Sequence, residues 1–188
     1  EATNRTIITD TGNNIKMLLK GDVLLPLIAV VDPKFSMQCP LNVTVATGLD
    51  ALTHAVEAYT SKKAFKESDD LAIKAIRRIF KNLPILLEDL SNEKAREEMA
   101  LAAYEAGICI NNAAVTIVHG MSRPIGAYFH VPHGISNAML LVKCLSYVVD
   151  GGEERFAQLG KAIGLEERCD STRVLADKFI KALGDFCS

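Results

Sequence analysis

GLDALTHAVEAYT, residues 48–60, sets Asp50 and His54 four apart in a run otherwise rich in Ala, Leu and Val. Apolar residues recur at three- and four-residue steps, which predicts a helix over 49–60. On a helix, positions i and i+4 stack on one face, so carboxylate and imidazole can reach one point in space. Such a pair, met alone, is most often a surface hydrogen bond. Its surroundings decide whether it is more.

Working outward, the helical spacing continues downstream. Ala72, Ala75, Ile76, Ile79, Phe80 and Leu83 form one stripe over 68–82, with Pro84 expected to end that helix. A further helix is expected after Ser91, with Ser91 as its cap, running from charged first turns into MALAAYEAGICI, apolar on every side and so buried. GISNAMLLVKCLSYVV (134–149) is expected as another buried helix, stopped by Gly151-Gly152. EERFAQLGKAIG, stopped by Gly164, and STRVLADKFIKALGDF, capped by Asp170 or Ser171, complete the set. Upstream of Pro40 the pattern changes. TIITD (6–10) and LLPLIAVVD (24–32) are short branched runs bounded by turn formers, expected as strands. GNNIKMLLKGD between them, with turn formers at Gly12-Asn13-Asn14 and Gly21-Asp22, has room for a third. Two or three strands cannot stand alone, so this lead-in is expected to belong to a sheet whose other strands are missing. The fold class is therefore mainly α: a strand-bearing lead-in followed by an all-helical domain.

With 188 residues, 49% hydrophobic and 23% charged, the chain can fill a core and keep a soluble surface. A net charge of −2 removes the electrostatic case for nucleic acid or an anionic membrane as partner. KAIRRIFK (74–81) interleaves its charges with apolar residues at helical spacing, as a solvated helix face does. The five cysteines are scattered without a CxxC pair, which argues for a reducing compartment and against a disulfide framework or a thiolate zinc site. No apolar run approaches the ~20 residues of a membrane span, and no basic-then-apolar leader is visible. A cytoplasmic protein is the expectation.

Three of the four histidines, His119, His130 and His133, fall within VHGMSRPIGAYFHVPHG (118–134), an apolar, glycine-bearing stretch expected as a loop. Burying imidazoles costs free energy unless their nitrogens find partners, and a divalent cation is one such partner. Two or three of these with Asp50 and His54 form a nitrogen-and-oxygen set. It suits Fe(II), Zn(II) or Mn(II) rather than calcium or a thiolate-bound metal. Satisfied core or loop histidines are the other reading, and spacing alone leaves both open.

TGLDALTHAVEAYTS and VHGMSRPIGAYFHVPHG resemble the two signature regions of the iron-containing (group III) alcohol dehydrogenases, and the likeness extends to TIITD, the VVDP turn and EERFAQLGKAIGL. The resemblance implies one divalent metal, Fe2+ with Zn2+ as the alternative, held by Asp50, His54, His119 and His133, with NAD or NADP as cofactor. Lys16 matches a family lysine at the cofactor ribose. His130 matches no ligand and is expected as a polar neighbour of the site. Glu57, seven residues beyond Asp50 on the same face, also matches none; a place behind the ligands or toward solvent is expected. Arg123 stands where some relatives carry a histidine that relays a proton. A guanidinium cannot act as a base, which leaves orienting a carboxamide or ribose oxygen, or a salt bridge.

Glu1-Ala2-Thr3 resembles the end of a cofactor-side stretch, so the chain is expected to begin inside a longer protein. On that reading residues 1–39 are the closing strands of an α/β nucleotide-binding domain whose glycine-rich turn lies upstream. Residues 40–188 are the all-helical metal-binding domain, itself shortened at its C-terminal end. This dehydroquinate synthase-like architecture is shared with glycerol dehydrogenase, but the second signature of those relatives differs. The implied function is hydride transfer between a small alcohol and its aldehyde or ketone, with the metal polarising the substrate oxygen in the cleft between the domains. The full-length enzyme is expected to be a homo-oligomer. Two other readings remain: an inactive metal-binding helical domain, and a metal-dependent hydrolase, against which the lack of a general base beside the ligands counts.

Overall fold

The computed structural model describes residues 2–13 and 15–188; the expectations placed on Glu1 and Asn14 lie outside them. Among the described residues two strands, β1 (Arg5–Asp10) and β2 (Ile15–Lys20), pair antiparallel with Arg5 opposite Lys20 and Asp10 opposite Ile15. Seven α-helices among the described residues follow: α1 (Leu41–Thr60), α2 (Lys66–Glu88), α3 (Glu93–Asn112), α4 (Ile117–Phe129), α5 (His133–Val148), α6 (Glu153–Ala162) and α7 (Thr172–Phe186). The chain is mainly α, as its periodicity predicts.

The helices assemble around α1, whose Leu52, Ala55, Val56 and Ala58 are fully buried. It packs against α2, α3 and α5, while α6 and α7 pair beside them through Phe156 and Phe179. Each large side chain buried in this way contributes about 1.5–3 kcal/mol. Buried Arg96 on α3 ties the start of α1 in place, donating to Thr44 Oγ1 at 2.8 Å, the Cys39 carbonyl at 3.1 Å and the Leu90 carbonyl at 3.0 Å. All five cysteines are free. No single helix among the described residues is long and apolar enough to cross a membrane; α3 and α4 pass only as a pair, bent by 109°.

Five expectations need correction. LLPLIAVVD forms no strand: it runs irregularly between short 3-10 turns at Asp22–Leu24 and Pro33–Ser36. Pro26 lacks an N–H to donate, and among the described residues no strand lies beside it to take its backbone hydrogen bonds. Pro84 does not end α2, which continues to Glu88 because Leu83 and Leu86 are buried on either side of it. Ser91 does not cap α3; Asn92 does, its side chain accepting from the Ala95 N–H at 3.0 Å, while Ser91 bonds Asp89. The helix after Gly134 is not buried all round, since Met139 and Tyr147 face outward. Finally, the stretch expected as a loop is mostly α4. It buries Val118, His119, Ser122 and Gly126 at helical spacing and ends on His130, whose φ of 56° is left-handed.

Candidate metal centre

Three helices bring the predicted side chains together. Asp50 and His54 lie one turn apart on α1, His119 sits in the first turn of α4, and His133 opens α5. The approach of α5 to α1 depends on Gly134. A Cβ there would lie 1.7 Å from the Ala46 carbonyl oxygen, so only glycine lets the two backbones meet. With that contact made, Asp50 Oδ1 lies 3.9 Å from His54 Nε2, 3.5 Å from His119 Nε2 and 3.7 Å from His133 Nε2. Ligands at about 2.0–2.2 Å from one tetrahedral cation are roughly 3.4 Å apart, so the set is close to the span such an ion requires. The rings pack on one another: His54 and His119 stack at 4.5 Å between centroids, and His133 meets His119 edge-on at 5.2 Å. The carboxylate and imidazole atoms of Asp50, His54 and His119 all lie within 4.8 Å of one another and could hold a metal ion.

Behind this set stands Glu57, fully buried on α1. Its carboxylate accepts from Thr116 Oγ1 at 2.6 Å, from the Val118 N–H at 2.8 Å and from His119 Nδ1. The bond to Nδ1 fixes the ring so that Nε2 faces Asp50. Of the two places expected for Glu57, behind the ligands or toward solvent, the structure gives the first. Burial works to raise the Glu57 carboxyl, but the bonds from His119, Thr116 and Val118 outweigh it and hold its pKa below the ordinary value. Burial likewise works against the Asp50 anion, yet the His119 hydrogen bond and the three histidine charges bring it down to about 2. For His119, burial favours the neutral ring, while its bonds to Asp50 and Glu57 hold the pKa up at about 9. His133 is pushed down, mainly by burial and also by the charges of His119, His54 and Lys16; Asp50 opposes this.

Asn137, fully buried one turn beyond His133, was missed by the sequence reading. Its Nδ2 donates to Asp50 Oδ1 at 2.7 Å and lies 3.1 Å and 3.3 Å from the Nε2 atoms of His119 and His133. The same i, i+4 rule that linked Asp50 to His54 would have found it. Thr116 and Arg5 carried no signal. His130 is exposed at the end of α4 and is not among the gathered side chains. Lys16, on β2, extends across Gly126 of α4, where a Cβ would come within 2.7 Å of its Nζ. A cavity of about 160 Å³ opens onto the set, walled by the hairpin, α3 and α4 and reaching Arg5 and Arg123.

Fold and site together define a helical domain built around a carboxylate-and-imidazole cluster at the meeting of α1, α4 and α5. Residues 44–188 match the model of the Fe-containing alcohol dehydrogenase family, C-terminal. The chain is 39% identical over 183 residues to the 1,3-propanediol dehydrogenase of Citrobacter freundii, covering 97% of this chain and 47% of that protein. To the NAD-dependent methanol dehydrogenase of Bacillus methanolicus it is 35% identical, covering 97% and 48%. The crystal structure of a 1,3-propanediol oxidoreductase superposes with a TM-score of 0.93 at 38% identity, over 97% of this chain and 48% of that one. The alcohol dehydrogenase from Oenococcus oeni gives 0.94 at 32%, over 98% and 48%. The chain thus spans about half the length of the curated relatives it matches. It belongs to the iron-containing alcohol dehydrogenase family.

Proposed function

We propose that this chain is the metal-holding part of an NAD(P)-dependent alcohol dehydrogenase, with Asp50, His54, His119 and His133 as ligands to one divalent cation, Fe2+ or Zn2+. The observation that carries this reading is the convergence of one carboxylate oxygen and three imidazole nitrogens, with Glu57 holding the His119 ring in the coordinating tautomer. A cation bound there supplies Lewis acidity to an alcohol or carbonyl oxygen. The chain's own residues do the rest. Asp50 balances charge, Glu57 and Asn137 orient the set, and Ile7, Leu18, Ile110 and Val115 line the cavity with apolar surface that limits water. Small alcohols and aldehydes suit its volume, and the relatives named for methanol and 1,3-propanediol act on molecules of that size.

Residues 1–39 belong, on this reading, to the nucleotide-binding domain, and 40–188 form the metal-binding domain. Val23, Leu27, Ile28, Val30 and Phe35 are almost wholly exposed, as expected of a segment that packs against a further part of a longer protein. Lys16 lies close enough for its charge to act on His133, which supports its place at the cofactor ribose near the reacting centre. Elemental analysis tests the proposal. The 188-residue chain should carry one cation with little or no turnover, and a double variant Asp50→Ala, His119→Ala should carry none. Joined to a nucleotide-binding half, it should reduce NAD(P) with simple alcohols and lose that activity on chelation. Equal metal content in both proteins would remove the site.

A further inference from the structure

The cavity beside the cluster is lined by two arginines, neither of which can carry a proton in the proposed hydride transfer. Arg5 enters from β1 and Arg123 from α4, four residues beyond His119 and therefore on the same helix face. Arg5 is held against the helices because the neighbouring Asn4 N–H donates to Asn111 Oδ1 at the end of α3, at 2.9 Å. The Nε atoms of both guanidiniums are buried without a hydrogen-bond partner, and among the described residues no carboxylate pairs with either. Among the described residues the one acid lining the cavity, Asp50, is already engaged by Asn137 and the imidazoles. Guanidinium stays protonated at any working pH, and each of these half-buried arginines holds a buried Nε–H without an acceptor, which costs free energy. Two permanent positive charges therefore line a small cavity in which no free carboxylate among the described residues faces them, and a ligand can bring the missing acceptor.

We propose that this cavity selects a small alcohol or carbonyl substrate carrying an anionic group, a hydroxy- or oxo-acid, with Arg5 and Arg123 taking the anion. The inference rests on the metal-dependent reading above, since it places the substrate oxygen toward the cluster and the acid group away from it. Arginine suits the task because its planar fork matches a carboxylate or sulfonate with paired N–H donors. Ile7 and Leu18 add apolar wall to the same cavity, which suits a short carbon chain.

The test is calorimetric titration of the zinc-loaded chain with two probes, 3-hydroxypropane-1-sulfonate and 1,3-propanediol. A sulfonate is a weak zinc ligand, so its preference reports the arginines rather than the cation. The sulfonate should bind about tenfold tighter or more, the size expected of a hydrogen-bonded charge pair. Arg5→Leu and Arg123→Leu should each reduce that ratio at unchanged zinc content, while Arg5→Lys and Arg123→Lys keep most of it. Equal affinity for the two probes in wild type, or a preference that survives both leucine variants, overturns the proposal. Failure to take up zinc at all would instead refute the metal reading, and the metal content reports that separately.

Discussion

Replacing Glu57 by Gln tests the link between packing and metal affinity. The amide keeps the shape and one oxygen, which can still accept from Thr116 Oγ1 and the Val118 N–H, 2.6 Å and 2.8 Å from the same carboxylate oxygen. The other position becomes an NH2 group facing His119 Nδ1. Two donors cannot face each other, so the ring must move its proton to Nε2, the nitrogen turned toward Asp50. A protonated Nε2 cannot ligate. Loss of such a supporting partner costs about 10–100-fold in metal affinity, roughly 1.4–2.8 kcal/mol. Zinc affinity by chelator competition measures this. Thr116→Val is the control: it deletes a hydrogen bond to the same carboxylate, lowering stability by about 1–2 kcal/mol, yet leaves the His119 tautomer alone. A Glu57→Gln protein that binds zinc within about threefold of wild type, or a Thr116→Val protein that loses as much affinity, would refute the reasoning.

Gly134→Ala should force α5 away from α1, costing about 3 kcal/mol or more in thermal unfolding and at least tenfold in zinc affinity. Gly120→Ala, with nothing within 4 Å of the added Cβ, should change neither by more than about 1 kcal/mol. Asn137→Ala should destabilise the zinc-free chain by about 1–3 kcal/mol by removing the donor to Asp50, and the loaded chain less, because the cation satisfies the same acceptor. Equal drops in melting temperature with and without zinc would contradict this. For pH, His119 rises from its ordinary 6.5 to about 9, so its contribution to the zinc-free fold is fully present below 6.5 and lost as pH climbs through about 9. Asp50 falls from 3.8 to about 2, and its share of the same interaction is lost as pH drops toward 2. Zinc must displace the His119 proton, so affinity should rise about tenfold per pH unit from 6.5 toward 9; a flat profile would show that no proton leaves.

Residue types with one strong tendency were the legible ones. Asp50 and His54 share a face because helical periodicity demands it, and Ser171 caps α7 as a hydroxyl before an apolar run should, accepting from the Val174 N–H. Pro84 misled because a proline breaks a helix only when burial on either side fails to hold it, and here Leu83 and Leu86 do hold it. LLPLIAVVD has the composition of a strand, but a strand is a pairing, and composition cannot supply the neighbour. At the site, imidazoles and carboxylates could be picked out by type. Thr116 could not, because hydroxyls occur everywhere and acquire meaning only from what they face; Asn137 could not by type either, only by its i, i+4 spacing from His133.

Whether one cation sits among these four side chains is decided by X-ray absorption at the zinc edge of the metal-loaded chain. Four nitrogen or oxygen neighbours at about 2.0–2.1 Å are expected, with the outer-shell scattering of three imidazoles, a pattern lost in Asp50→Ala, His119→Ala. Sulfur neighbours at about 2.3 Å, or a spectrum unchanged by the double substitution, would place the cation elsewhere and contradict that expectation.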